Sequence, residues 1–200
     1  MGREVEAKFY VRRLEDIKRR LEAAGAVLVK PRVLEVNLRF DTHEGALRQA
    51  GRVLRLRQDA KVRLTYKDLG RVQDGALSRR ELEFDVSNLD AAREFLEALG
   101  YEVSFIYEKY RTTYRLDDLE IDVDEMPYGN FVEIEGSGSP IQPTAEKLGL
   151  KWSSAIQSSY SQLFEALRAR RGLEFRDLTF DNLKHIRVAA ADLEVQAADT

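Results

Sequence analysis

The residues of this chain that could do chemistry are mostly charged, and they alternate with apolar ones along short segments. Glu4, Glu6 and Lys8 share one face of a two-residue period whose other face is Val5, Ala7 and Phe9. Arg55 and Arg57 alternate with Leu54 and Leu56, and Arg63, Thr65 and Lys67 with Val62, Leu64 and Tyr66. Arg79, Glu81 and Glu83 oppose Leu82 and Phe84, and the habit returns at Lys109 and Arg111, at Asp122 and Asp124, and at Glu133 and Glu135. The basic members, Lys8, Arg55, Arg57, Arg63, Lys67, Lys109 and Arg111, suit phosphate oxygens, which arginine binds bidentately. The acidic members, Glu4, Glu6, Glu81, Glu83, Asp122, Asp124, Glu133 and Glu135, suit a hard divalent cation held through oxygen, Mg2+ or Mn2+. Both sets on one surface meet the requirements of metal-assisted phosphoryl or nucleotidyl transfer.

Composition closes off other chemistries. There is no cysteine, so thiolate metal sites and cysteine nucleophiles are out, and a reducing cytoplasm is the expected location. Two histidines, His43 and His185, are too few for a His-rich metal centre. His43 reads as a surface residue. The net charge of −3 gives no overall attraction to nucleic acid. No apolar run approaches the ~20 residues that span a bilayer, and the first residues lack a signal-peptide core, so neither nucleic acid nor membrane is an expected partner. A Gly-rich phosphate loop ending in Gly-Lys is absent.

The elements that must position the charges follow from periodicity. Strands are expected at Glu4–Tyr10, Leu34–Asp41, Arg52–Gln58, Val62–Lys67, Ser78–Val86, Phe105–Leu116, Leu119–Asp124 and Asn130–Glu135. Helices are expected at Leu14–Ala24 and Leu89–Leu99, closed by Gly25 and Gly100, then at Pro143–Leu148 and Ser153–Arg170. This is an α+β chain with enough strands to close a small barrel of about eight. Residues 1–171 form the expected domain. An acidic extension follows at 172–200, with Phe175, Leu178, Phe180 and Leu183 available to dock and the stretch from Val188 expected to fray. Trp152 is expected to anchor the last helix.

Two readings of the ionic faces compete. In one they are the wet side of an open antiparallel sheet, with cross-strand pairs each contributing a few tenths of a kcal/mol. In the other, helices cover the apolar outer face and the charges line a water-filled bore, where they must meet opposite charges or a charged ligand.

The ordered set of motifs resembles a known family. Glu4-Val5-Glu6-Ala7-Lys8 resembles the Glu-x-Glu-x-Lys signature of the CYTH superfamily, also called triphosphate tunnel metalloenzymes. Leu38-Arg39-Phe40-Asp41-Thr42, Arg55-Leu56-Arg57, Thr65-Tyr66-Lys67, Glu81-Leu82-Glu83, Lys109-Tyr110-Arg111, Asp122-Val123-Asp124 and Glu133-Ile134-Glu135 resemble its later strands in order. The resemblance implies a closed antiparallel eight-stranded β-barrel, a tunnel, with helices packed on the outside and a triphosphate bound within. It implies that Glu4, Glu6, Glu133 and Glu135, with Asp122 or Asp124, hold Mg2+ or Mn2+. Lys8, Arg55, Arg57, Lys67, Lys109 and Arg111 then grip phosphates, and Lys8, Glu81 and Glu83 are candidates for a catalytic part. Met126–Glu135 and Ser159-Tyr160-Ser161 are similar to the class IV adenylate cyclase branch, which implies conversion of ATP to cyclic AMP and pyrophosphate. Hydrolysis of inorganic triphosphate or thiamine triphosphate is the alternative, and a non-catalytic polyphosphate- or nucleotide-binding module is another. Homodimer formation is left open.

Overall fold

The structure, a computed structural model, describes residues 3–73, 76–136 and 141–199. Strand β1 (Arg3–Val11) leads into helix α1 (Leu14–Ala23). Strand β2 (Val27–Asp41), one-turn helix α2 (Ala46–Gln49), β3 (Val53–Gln58), β4 (Val62–Lys67), short β5 (Arg71–Gln73) and β6 (Ala76–Val86) follow. Helix α3 (Leu89–Ala98) then precedes β7 (Glu102–Leu116), β8 (Leu119–Met126) and β9 (Gly129–Gly136). The remainder holds α4 (Ile141–Lys147), α5 (Tyr160–Arg171), α6 (Phe180–Leu183) and 3-10 turns at Trp152–Ser154 and Ala190–Leu193.

Eight strands close into a ring in the order β1-β9-β8-β7-β2-β3-β4-β6, and β6 pairs back onto β1 from Arg3↔Arg80 to Glu6↔Leu77. Every pairing around it is antiparallel, and β5 hangs on β6 outside the ring. This is the closed eight-stranded arrangement expected from the sequence. Because side chains alternate across a strand, closure sends one face of each strand inward and the other outward.

The outward face is mostly apolar and helices cover much of it, while Leu34 and Phe84 stay exposed. Leu14, Ile17 and Leu21 of α1, and Ile141 and Ala145 of α4, pack on Ala7, Phe9, Val11, Ile121, Val123, Val132 and Ile134. Trp152 joins this core, its ring 5.9 Å from that of Phe9. Leu96 of α3 lies with Leu38, Phe40 and Leu56. Leu163, Phe164 and Leu167 of α5 pack with Tyr107, Met126 and Phe131 at one end of the ring.

Three elements differ from the expectation. β2 begins seven residues early, at Val27. Pro31 hides this half of the strand, because a residue without an N–H interrupts the strand pattern, and the ladder to β7 is irregular between Lys30 and Val33. The single helix expected over 153–170 is a 3-10 turn, a connector and then α5. Ser159 stops the helix from extending backwards: its side chain accepts from Gln162 N while Gln162 caps the Ser159 N–H, a complete capping box.

The C-terminal stretch does not fray. Leu178 exchanges backbone hydrogen bonds with β7, from its N to Ile106 O and from Glu108 N to its O, both 2.9 Å, and it is fully buried. Leu183, Leu193 and Ala198 are buried as well, and the Asp199 carboxylate accepts from the backbone N–H of Arg12 at 2.8 Å and Arg13 at 3.1 Å. Leu178→Ala should therefore lower stability by about 2–5 kcal/mol, as for a buried core leucine. Urea unfolding of the full chain measures this, and a loss under about 1 kcal/mol would mean that the tail lies on the core without belonging to it.

Candidate functional site

The inward face is ionic on nearly every strand. On β3, Arg55 donates to Tyr107 Oη at 3.1 Å and Thr65 Oγ1 at 3.3 Å, and Arg57 donates to Glu35 at 3.3 Å and Glu83 at 3.2 Å. Glu83 of β6 gathers this wall: Thr65 Oγ1 donates to it at 2.7 Å, and Arg55 and Arg63 lie 3.7 and 3.9 Å away. Lys67 pairs with Glu81, and Arg63 with Asp59. Across the ring, Arg111 contacts three carboxylates on two strands, Asp122 at 2.5 Å, Asp124 at 2.6 Å and Glu133 at 2.6 Å. Lys109 reaches Asp124 at 2.9 Å and Glu35 at 3.6 Å. Lys8 lies 3.3 Å from Glu133, donates to the Ser158 carbonyl at 3.2 Å and sits 4.3 Å from the Tyr160 ring centroid. Glu6 pairs with Arg79 at 3.1 Å.

These walls enclose a continuous cavity of about 920 Å³ that runs through the ring. Its ends differ in charge. At one end the register sets Glu6 opposite Glu135, and Glu135 opposite Glu120, across β1, β9 and β8. At the other, Arg39, Arg55 and Lys67 line it beside the first turn of α5. The open-sheet reading is therefore replaced by the bore.

Burial and charge set the protonation states. Burial pushes Glu35 up, but Lys109, Arg111 and Arg57 overcome it and hold this carboxyl well below the usual range. Glu133 behaves alike, burial being outweighed by Lys8, Lys109 and Arg111. Asp122 goes the other way, raised to about 6 by burial with Asp124 adding to it against Arg111. Burial also raises Tyr107, yet Arg55 and Lys109 win and bring its phenol down to about 8. Tyr128 and Tyr160, buried beside carboxylates, are pushed up.

The donor set can be tested against a divalent cation. Carboxylates directly opposite one another across strands repel, and in the Glu6–Glu135–Glu120 row, where Arg79 already meets Glu6, a hard cation would add to the relief. No histidine stands among these acids; His43 lies in the loop after β2, with its side chain 88% exposed. Oxygen-only donors fit Mg2+ or Mn2+. Among the described residues no three acidic or histidine side chains are already gathered to hold a metal, and the side chain of Glu4, the first acid of the signature, lies outside the described residues.

The bore thus brings together Glu6, Lys8, Arg55, Arg57, Arg63, Lys67, Glu81, Glu83, Lys109, Arg111, Asp122, Glu133 and Glu135. Asp124 stands apart. It is fully buried behind the wall, and its oxygens accept from Lys109, Arg111 and the Tyr160 hydroxyl at 2.8 Å. Sequence reasoning gave no role to Glu35, Asn37, Arg39 and Tyr107, and quoted Tyr160 only within the Ser159-Tyr160-Ser161 resemblance. The first three share an inward face with Asp41, a signal present in the alternation of Leu34–Asp41.

The CYTH domain family matches residues 2–160. A Methanocaldococcus jannaschii protein named as a candidate adenylate cyclase is 26% identical over 140 residues, 69% of this chain and 79% of that protein. The structure of a candidate adenylate cyclase from Vibrio parahaemolyticus superposes with a TM-score of 0.72 at 21% identity, covering 82% of this chain and 99% of that one. A Hippeastrum protein, described as a candidate adenylyl cyclase with a dominant triphosphatase activity, superposes with a TM-score of 0.59 at 19% identity, covering 81% and 95%. At those identities both structures speak for the fold alone.

Absorbance titration of the full chain should show one tyrosine ionising near pH 8, ahead of the others, and Arg55→Met should move that midpoint towards the ordinary value of 10. If no phenol ionises below about pH 9, Tyr107 does not feel the cations around it.

Proposed function

The chain belongs to the CYTH domain family, and from that premise we propose that it is a divalent-cation-dependent enzyme that holds a triphosphate along the bore and cleaves one of its phosphoanhydride bonds. CYTH enzymes take triphosphate substrates and are typically metal-dependent. The observation that carries the reading is the set of inward arginines and lysines enclosed by a closed ring, with Arg55 and Arg57 each keeping a buried Nε–H without a hydrogen-bond partner among the described residues. Buried donors of this kind call for an anion with many oxygens.

In this reading Lys8, Arg55, Arg57, Arg63, Lys67, Lys109 and Arg111 bind phosphoryl oxygens. Glu81 and Glu83 orient that wall, Glu81 through Lys67 and Glu83 through Arg57 and Thr65. Glu6, Glu133, Glu135 and Asp122, with Glu4, would hold the cation, and Asp124 braces Lys109 and Arg111 from behind. When bound, Mg2+ or Mn2+ supplies charge neutralisation and polarisation at the phosphoryl centre. The fixed cations stabilise charge as it develops on phosphoryl oxygens, with little reorganisation because their partners already hold them. Lys8, between Glu133, the Ser158 carbonyl and the Tyr160 ring, is the cation that joins the acidic and basic parts.

The names of the relatives support cyclisation of ATP, with the 3′-hydroxyl attacking the α-phosphorus and pyrophosphate leaving. The activity described for the Hippeastrum relative, together with the basic end of the bore, supports hydrolysis as a second reading. A product panel with ATP, inorganic triphosphate and thiamine triphosphate, each with Mg2+ or Mn2+, separates them. Cyclic AMP with equimolar pyrophosphate selects cyclisation, orthophosphate selects hydrolysis, and binding without any product would reduce the protein to a polyphosphate- or nucleotide-binding module. Glu6→Gln should lower metal-dependent turnover by at least the ~10–100-fold seen even for outer-shell metal partners. Arg57→Ala should weaken triphosphate affinity by about 1–3 kcal/mol, measured by calorimetry, and an unchanged affinity would place Arg57 outside the site.

A further inference from the structure

Arg39 is a bore cation that the ion-pair network leaves unused. It stands directly across from Arg55 on one side and from Phe105 on the other, so two guanidinium-bearing residues face the cavity in register at its basic end. Like charges opposite one another destabilise a sheet unless an anion lies between them. Among the described residues Arg39 makes no ion pair. Its Nη1 donates to the Ser161 hydroxyl at 2.7 Å, and Ser161 Oγ lies 3.0 Å from Ser159 Oγ. Burial pushes the Arg39 pKa down, with Arg55 adding to the effect and Tyr107, Asp41 and Glu165 opposing it. Asp41 is not free to neutralise it, because the carboxylate accepts from the backbone N–H groups of Thr42, Leu47 and Arg48. Arg55, 8% exposed, keeps its Nε–H unpartnered among the described residues. Ser161 lies in the first turn of α5, at the positive end of that helix.

We propose that Arg39 and the Ser161 hydroxyl, beside the Arg55 that they share with the triphosphate wall, form an additional anion subsite that takes a terminal phosphoryl group of a linear inorganic polyphosphate longer than three units. The inference rests on the triphosphate reading of the bore and extends it by one unit towards α5. Along the strands, Arg39 and Arg55 lie one two-residue step, about 6.6 Å, beyond the level of Asn37 and Arg57, so a group held there is distinct from one held by Arg57. A nucleoside at this end would leave the buried Arg55 and the half-buried Arg39 against an uncharged partner. A further phosphoryl group satisfies both, with arginine geometry suited to its oxygens.

Calorimetry on the full chain, without metal so that no turnover occurs, compares inorganic tripolyphosphate with inorganic tetrapolyphosphate. Wild type should bind the longer chain about tenfold more tightly, the scale of one charge-assisted hydrogen-bonding contact. In Arg39→Gln the ratio of the two affinities should fall to within about twofold of unity, and Arg39→Lys should restore part of it. A ratio in Arg39→Gln equal to that of wild type overturns the subsite. So does a wild type that binds tripolyphosphate and shows no preference for the longer chain, and in that case the triphosphate reading stands. If wild type binds neither chain, the triphosphate reading falls and the subsite with it.

Discussion

The bore depends on one constraint: charges enclosed by a closed ring must be neutralised by groups on other strands. Arg111 is where this is most concentrated. One guanidinium on β7 meets Asp122 and Asp124 on β8 and Glu133 on β9, so three adjacent strands are tied by a single side chain. Desolvating such groups costs several kcal/mol per ion, and removing one member leaves the others uncompensated. Lys109 and Glu35 carry the network from β7 to β2, and Arg57 and Glu83 carry it through β3 to β6. The chain of ion pairs therefore follows the ring, and register errors between strands would strand a buried charge. Such a network specifies one pairing more than it adds stability.

Stability comes from the other face. The outward positions under α1 and α4 are mainly apolar, and Phe9, Ile121, Val132 and Ile134 among them are fully or almost fully buried. A ring with a wet interior has no core of its own, so its hydrophobic burial must come from helices laid on the outside. This explains why helical segments follow β1, β6 and β9, and why the C-terminal stretch is packed against the ring. At one end α5 performs both tasks. Its apolar face packs on Phe131 and Tyr128, while Tyr160, at its first position, turns its hydroxyl to Asp124 and its ring to Lys8.

Local pattern made much of this legible. Val62–Lys67 matches β4 residue for residue, and the Gly25 and Gly100 caps fall where α1 and α3 end, each glycine at the positive φ that a left-handed residue requires. The residues missed are those whose role depends on pairing. Glu35, Asn37 and Arg39 alternate as cleanly as any strand, but as a mixture of acid, amide and base they do not sort into a phosphate wall or a cation site. Glu35 becomes meaningful only when β2 is set between β3 and β7, which brings Arg57 and Lys109 to it. Tyr107 has no signal of its own in the sequence, and only the fold places Arg55 against its hydroxyl. Asp124 shows the converse. Its sequence position equals that of Asp122, yet the packing of Tyr160 over it turns a candidate ligand into a brace.

The separation of charge along the bore gives the cavity a direction. Glu6, Glu135 and Glu120 lie side by side at one end, and Arg39 faces Arg55 at the other, with Lys8 and Arg111 at the boundary where acid and base interleave. In the proposed reading, a linear polyanion entering such a field is oriented before any specific contact forms. Its highest charge density is drawn to the arginines, and a divalent cation held by the carboxylates would neutralise the phosphoryl group that faces them. That orientation requires no residue specific for adenine or thiamine, because the polarity of the wall is supplied by strand register alone. A fold with this interior can therefore keep its grip on a phosphate chain while the group at the chain's end changes.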